Sequence, residues 1–155
     1  MKKNTLAACI LIAGAGCSAV AFAHGGATGI VKERMDGMMA MGKALGTVAD
    51  MFKGKTSFDA AQVTSAARTV EIHAAEMIEL FPDTKHSRQG KGTEALPAIW
   101  QDKDEFNALA KLLETKSQEL GQIAASGDQA QVRRAFAEAA KVCSACHQDY
   151  RKPSN

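Results

Sequence analysis

Five consecutive residues carry most of the chemistry available to this chain: Cys143-Ser144-Ala145-Cys146-His147. Two thiols three positions apart, followed at once by an imidazole, form the attachment signature of c-type haem. Each thiol can add across one vinyl group of the macrocycle, and the adjacent histidine can offer a ring nitrogen to the iron. On a helix, positions three apart share a face and the next residue is offset by about 100°, so one turn can grip both ring edge and metal. Three other readings compete. A zinc site needs four ligands, and the exported chain has no second cysteine pair to complete one. A thioredoxin-like dithiol opens a helix after a strand, whereas this pair falls in the last turns of a C-terminal helix. A disulfide is the plain expectation for two exported cysteines, but it leaves His147 unexplained.

The other two cysteines, Cys9 and Cys17, are expected to leave with a secretory signal. Lys2 and Lys3 supply its positive start, Leu6 to Ala21 is apolar, and Ala21-Phe22-Ala23 has the small-x-small form of a cleavage site. Residues 1–23 are therefore read as a cleaved leader and 24–155 as a single domain. The apolar run is short for an uncleaved membrane anchor. A lipoprotein site at Cys17 would want a large aliphatic residue where Gly14 stands. Loss of Lys2 and Lys3 takes the formal charge from +2 to zero, which argues against a nucleic-acid binder. Haem of this type is attached outside the bacterial cytoplasm, so the expected compartment is the periplasm, with no membrane association after cleavage.

The elements that must position the motif are helices. The chain has 29 Ala, as many as Leu, Ile, Val and Phe together, and Ala loses no rotamer freedom in a helix. Apolar residues recur every three or four positions in four stretches. The first runs from about Thr28 to Lys53 with Ile30, Arg34, Met38, Met41, Leu45, Val48 and Phe52 on one stripe. The second, Asp59 to Leu80, carries Val63, Ala67, Val70, Ala74 and Met77, with Phe81 closing it. The third, Lys103 to Ser126, carries Phe106, Leu109, Leu113, Leu120 and Ile123. The fourth, Gln129 to Tyr150, reads Val132, Phe136, Ala139, Cys143, Cys146 and Tyr150. Asp59, Asp102 and Asp128 stand at N-cap positions with Gln or Glu three residues on, and Gly54 and Gly127 stand where helices should stop. Short first and third connections force antiparallel neighbours, while residues 82–101 form a long polar connection. The expected fold is all-α, an up-down-up-down four-helix bundle.

A haem motif near the end of a four-helix chain resembles the cytochrome c′ family, the class II c-type cytochromes. The resemblance extends over Val31 to Met39, Met51 to Gly54, Phe81-Pro82, Leu96 to Trp100 and Cys143 to Arg151. The Met-rich first helix and the Pro-Ala-Ile-Trp stretch look most like its low-spin branch. The resemblance implies a single covalent haem c, thioethers at Cys143 and Cys146, and His147 as proximal iron ligand. It implies that Arg34 approaches the haem propionates, that Arg151 shields the proximal imidazole, and that Met38 is the sixth ligand. Met38 lies one turn beyond Arg34 on the same stripe, about 6 Å along the axis. Met41 shares that stripe and is its rival, while Met35 and Met39 are expected to point elsewhere.

Other residues have blander readings. His73 is expected to be a packed or rim histidine, His24 and His86 to have no role, and Tyr150 to be core. Trp100 is read as a packing residue, with contact to the haem edge as its alternative. Arg151 reads equally well as a plain C-terminal helix cation.

Two functions follow from the iron. With His and Met on both sides it has no vacant position, and the protein is a one-electron carrier serving periplasmic redox partners. With the distal side left open, the iron is five-coordinate, and the resemblance to high-spin members of the family implies nitric oxide or carbon monoxide as its ligand. An enzyme such as a peroxidase is disfavoured, because no distal His/Arg pair stands at helical spacing. The resemblance also implies a homodimer through the first two helices, with Met35, Met39, Gly42, Gly46 and Ala49 packing against a second copy; the alternative is that this side contacts the second helix within one chain.

Overall fold

The computed structural model describes residues 26–153; the expected leader, its expected cleavage site and His24 lie outside them. Four long helices span Gly29–Phe52 (α1), Ala60–Leu80 (α2), Lys103–Ala124 (α5) and Gln129–Tyr150 (α6). Two short ones, Lys85–Gln89 (α3) and Ala98–Gln101 (α4), interrupt the long connection, which the spacing of apolar residues had not disclosed. Helices of one turn carry too little periodicity to stand out.

The ends follow local chemistry. Asp59 accepts from the Gln62 backbone N–H at 3.0 Å, and Asp128 accepts from those of Ala130 and Gln131 at 2.9 and 3.0 Å. The side chains of Gln62 and Gln131 reach back to the same carboxylates. Gly54 and Gly127 adopt φ of 72° and 73°, the left-handed conformation that lets the chain leave a helix without strain. Asp102 departs from expectation. It makes no side-chain cap because it also closes α4, and that shared position leaves its φ and ψ at −117° and 50°.

The end of α2 is held from outside. Its last carbonyls would be orphaned, but Lys103 Nζ donates to Phe81 O at 3.0 Å and Trp100 Nε1 donates to Phe81 O and Pro82 O at 3.2 and 3.1 Å. Trp100 also packs against the core, as expected, and does not line the cavity described below.

Close backbone packing joins α1 to α2, α2 to α5 and α5 to α6. The fourth seam, between α1 and α6, is the open one. At one end it is bridged by Phe52 and Phe136, whose ring centroids lie 5.6 Å apart. A core of Val48, Val63, Ala67, Leu120, Ala124 and Val132 fills that end of the bundle. The other end holds Met41, Val70, Ala74, Met77, Phe106, Leu113 and Val142. No described helix is long and apolar enough to cross a membrane.

Candidate haem site

At the open end of the α1–α6 seam lies a cavity of about 440 Å³, within the roughly 300–1,000 Å³ usual for small-molecule and cofactor sites. Cys146 and His147 line it from α6, and Arg34 and Met38 from α1. Arg151 lines it just beyond the end of α6. Cys143 sits one turn before Cys146, partly buried against the neighbouring core. Arg34, Met38, Cys146, His147 and Arg151 thus share one lining, and Cys143 does not reach it. Phe81, Phe106 and Tyr150 form an aromatic wall, with centroid separations of 4.8 and 5.4 Å.

Cys143 and Cys146 are unbridged. Residues three apart on a helix hold their Cβ atoms about 5–6 Å apart, beyond the 3.5–4.5 Å a disulfide needs. Burial raises the pKa of both thiols, that of Cys146 to about 11, with smaller contributions from Cys143 and Asp149. Neutral thiols at the end of a helix are the opposite of the activated thiolate of a redox dithiol. Among the described residues no three or more His, Cys, Asp or Glu side chains are grouped so as to hold a metal ion. The His147 imidazole lies below its ordinary pKa, first through desolvation and then through the charge of Arg151, with Glu94 opposing. It is therefore neutral at physiological pH, with a nitrogen lone pair free for a metal.

Arg34 is only 5% exposed. It donates to the Ser87 carbonyl and lies 4.5 Å above the Phe81 ring, yet no carboxylate pairs with it among the described residues. Burial lowers its pKa. Glu94 lines the same cavity but is bonded to Arg151, and a buried cation with no carboxylate of its own is costly unless an anion enters that cavity. Arg151 differs: its Nε donates to Glu94 Oε2 at 2.7 Å. Leu96 N–H also donates to Tyr150 O, and Lys152 N–H to Glu94 O, so residues 94–96 are strapped across the end of α6. Glu94 and Ser87 were not singled out from sequence, and neither sits in a motif that could have marked it.

The methionines fall differently from expectation. Met35, Met38 and Met39 all line the cavity, whereas Met41 is 6% exposed in the core. The reason is angular. The most apolar stripe of α1 faces the core, and the cavity lies to one side of it, towards α6. Three residues advance a helix by about 300°, so Met41 is turned about 60° back from Met38. The expected pairing side of the first helix is likewise turned over the seam, since Met35, Met39 and Gly42 line the cavity and Ala49 a groove beside it.

The sequence pattern of the cytochrome c′ family matches residues 29–151, almost the whole of the described bundle.

The chain belongs to the cytochrome c′ family.

It is 34% identical over 152 residues to cytochrome c-556 of Agrobacterium fabrum, covering 97% of each chain. Cytochrome c′ of Thermochromatium tepidum superimposes with a TM-score of 0.72 at 29% identity, covering 80% of this chain and 95% of that one. A nitric oxide complex of a mutant cytochrome c prime from Alcaligenes xylosoxidans gives 0.70 at 27% identity, covering 81% and 94%. The cofactor of this cytochrome c′-family protein is covalently bound haem c, and its fold is the four-helix bundle of the family. His73 stands outside the site, bonded to Glu76 at 2.8 Å and packed over Gly37.

Proposed function

We propose that this protein is a periplasmic one-electron carrier whose haem iron is held by His147 and Met38. Cys143 and Cys146 form the thioethers, Arg34 faces a haem carboxylate, and Arg151 covers the proximal side. The observation that carries the reading is that a half-buried thioether from α1 and a neutral imidazole from α6 line one cavity, beside a buried guanidinium with no carboxylate partner. When bound, haem supplies a reversible ferrous–ferric change, and methionine ligation raises its potential. The chain's own contribution is to bind, orient and keep water from the metal.

Helix register favours Met38 among the cavity methionines. The Phe52–Phe136 contact aligns the antiparallel α1 and α6. Eleven residues beyond Phe136 is His147, and eleven residues back from Phe52 is Met41, so that level of the bundle is shared. Met38 lies one turn nearer to it than Met35. Met39 is 48% exposed at the rim, poorly placed to exclude water.

The second reading, a five-coordinate haem that binds nitric oxide or carbon monoxide, draws on the nitric oxide complex of the Alcaligenes relative. An absorption spectrum of the purified protein separates the two. A low-spin spectrum in both oxidation states, unchanged by carbon monoxide, supports the carrier; a high-spin spectrum that shifts with carbon monoxide transfers the assignment to gas binding. Cys143→Ala with Cys146→Ala should leave no haem that resists acid-acetone extraction, and haem retained there would overturn the attachment.

A further inference from the structure

The α1–α6 seam carries a second concavity, further towards the Phe52–Phe136 end. It is a shallow groove of about 750 Å³ with a floor of Ala49, Phe52, Phe136 and Ala140. Its charged lining is Lys53, Arg133 and Lys141, with no carboxylate among the lining residues. Arg133 is fixed in place: its guanidinium donates to Phe52 O at 3.2 Å and lies 4.5 Å over the Phe52 ring. Lys141 is paired with Glu138 at the exposed outer edge, where an ion pair is weak and easily exchanged for another. In a chain that is formally neutral without its leader, three cations around one apolar floor mark a segregated charge.

The groove is also close to the chemistry. Ser144 and Ala145, the two residues between the haem-motif cysteines, line it from the back of the same turn. The near end of the groove thus adjoins the motif, while its Phe136 floor lies about 10–15 Å along α6 from Cys143 and Cys146.

We propose that this groove docks an acidic electron-transfer protein, which seats an apolar side chain on the Phe52–Phe136 floor and carboxylates against Lys53, Arg133 and Lys141. The redox purpose rests on the carrier reading above; the docking rests on shape and charge alone. A second copy of the chain fits worse, because a two-fold pairing through this groove would set the same three cations against themselves. In the exchange, one electron passes from the reduced partner to ferric haem, which becomes ferrous.

Flavodoxin, an acidic one-electron donor, is a suitable probe. Titration calorimetry of the haem-loaded protein at low salt should show binding that weakens as salt is added. Lys53→Glu with Lys141→Glu should weaken it roughly tenfold. Ala137→Tyr, which fills the groove without changing charge, should weaken it as well. Lys85→Glu with Lys111→Glu, an equal charge change elsewhere, should leave binding within about twofold. No binding overturns the proposal, as does an equal loss in that control, which would reduce the effect to net charge. Ultracentrifugation of the protein alone supplies another arm: a dimer dissolved by the groove variants would give the groove to a second copy and overturn the assignment. Stopped-flow reduction separates this inference from the carrier reading. Groove-dependent binding without electron transfer keeps the docking and sinks the carrier, whereas transfer indifferent to the groove variants sinks the docking and keeps the carrier.

Discussion

Arg34 on α1 and Ser87 on α3 stand 53 positions apart, yet Ser87 supplies both protein hydrogen-bond acceptors of the buried guanidinium, its carbonyl and its hydroxyl. Ser87 is itself fully buried, and its N–H donates to Thr84 Oγ1 at 3.1 Å, so the first turn of α3 is anchored before it holds Arg34. The arginine is thereby fixed at the cavity wall with its charge unanswered by protein. A cation beside a haem disfavours the ferric state, which carries one more positive charge. Arg34→Leu is therefore expected to lower the reduction potential. At an effective dielectric of about 20 and a separation of order 15 Å, the change is about 1 kcal/mol, or roughly 40 mV for one electron. Arg34→Lys should restore most of it, and a potentiometric titration in which Arg34→Leu matches wild type would remove Arg34 from the haem environment.

Met38→Ala and Met41→Ala should part company. On the carrier reading, loss of the Met38 thioether would open the iron, so the variant is expected to turn high-spin and to bind carbon monoxide. Met41→Ala removes a core side chain, so it should keep the wild-type spectrum while losing about 2–5 kcal/mol of stability in denaturant. High-spin Met41→Ala beside low-spin Met38→Ala would contradict the cavity lining.

Acid stability should depend on the helix caps. The Asp59 carboxyl lies below its usual pKa chiefly because it accepts the Gln62 N–H, and that of Asp128 chiefly through the Gln131 side chain. For a lowered carboxyl, stabilisation is complete above the unfolded value of about 3.9 and is lost as pH falls through the folded value. Asp128→Asn still caps but cannot titrate. Its urea midpoint should fall less than that of wild type between about pH 5 and pH 2. Parallel curves would show that the cap does not contribute to acid unfolding.

Trp100→Phe tests whether α4 serves the helix end or the cofactor. It deletes the donor shared by Phe81 O and Pro82 O, so stability should drop by about 1–2 kcal/mol. The visible spectrum and potential should not move, because Trp100 lies outside the cavity lining. A shifted potential would restore the haem-edge role.

The haem chemistry and the bundle were legible in the residues themselves. Cys143, Cys146 and His147 fall within five consecutive residues, and helix geometry alone dictates how such residues share a face. The observed α6, Gln129–Tyr150, coincides with the stretch read from its 4-3-4 spacing and its Asp128 cap, since both signals are local. What only the tertiary structure decided depends on neighbours. Periodicity finds the most buried stripe of α1, which placed Met41 beside Met38. Which side of that stripe meets a cavity depends on where α6 lies, and this moved Met35 and Met39 to the cavity and Met41 into the core. Ser87, Glu94 and the Lys53–Arg133–Lys141 groove follow the same logic. Each acquires its role from residues on another helix, brought near by packing that no local pattern encodes.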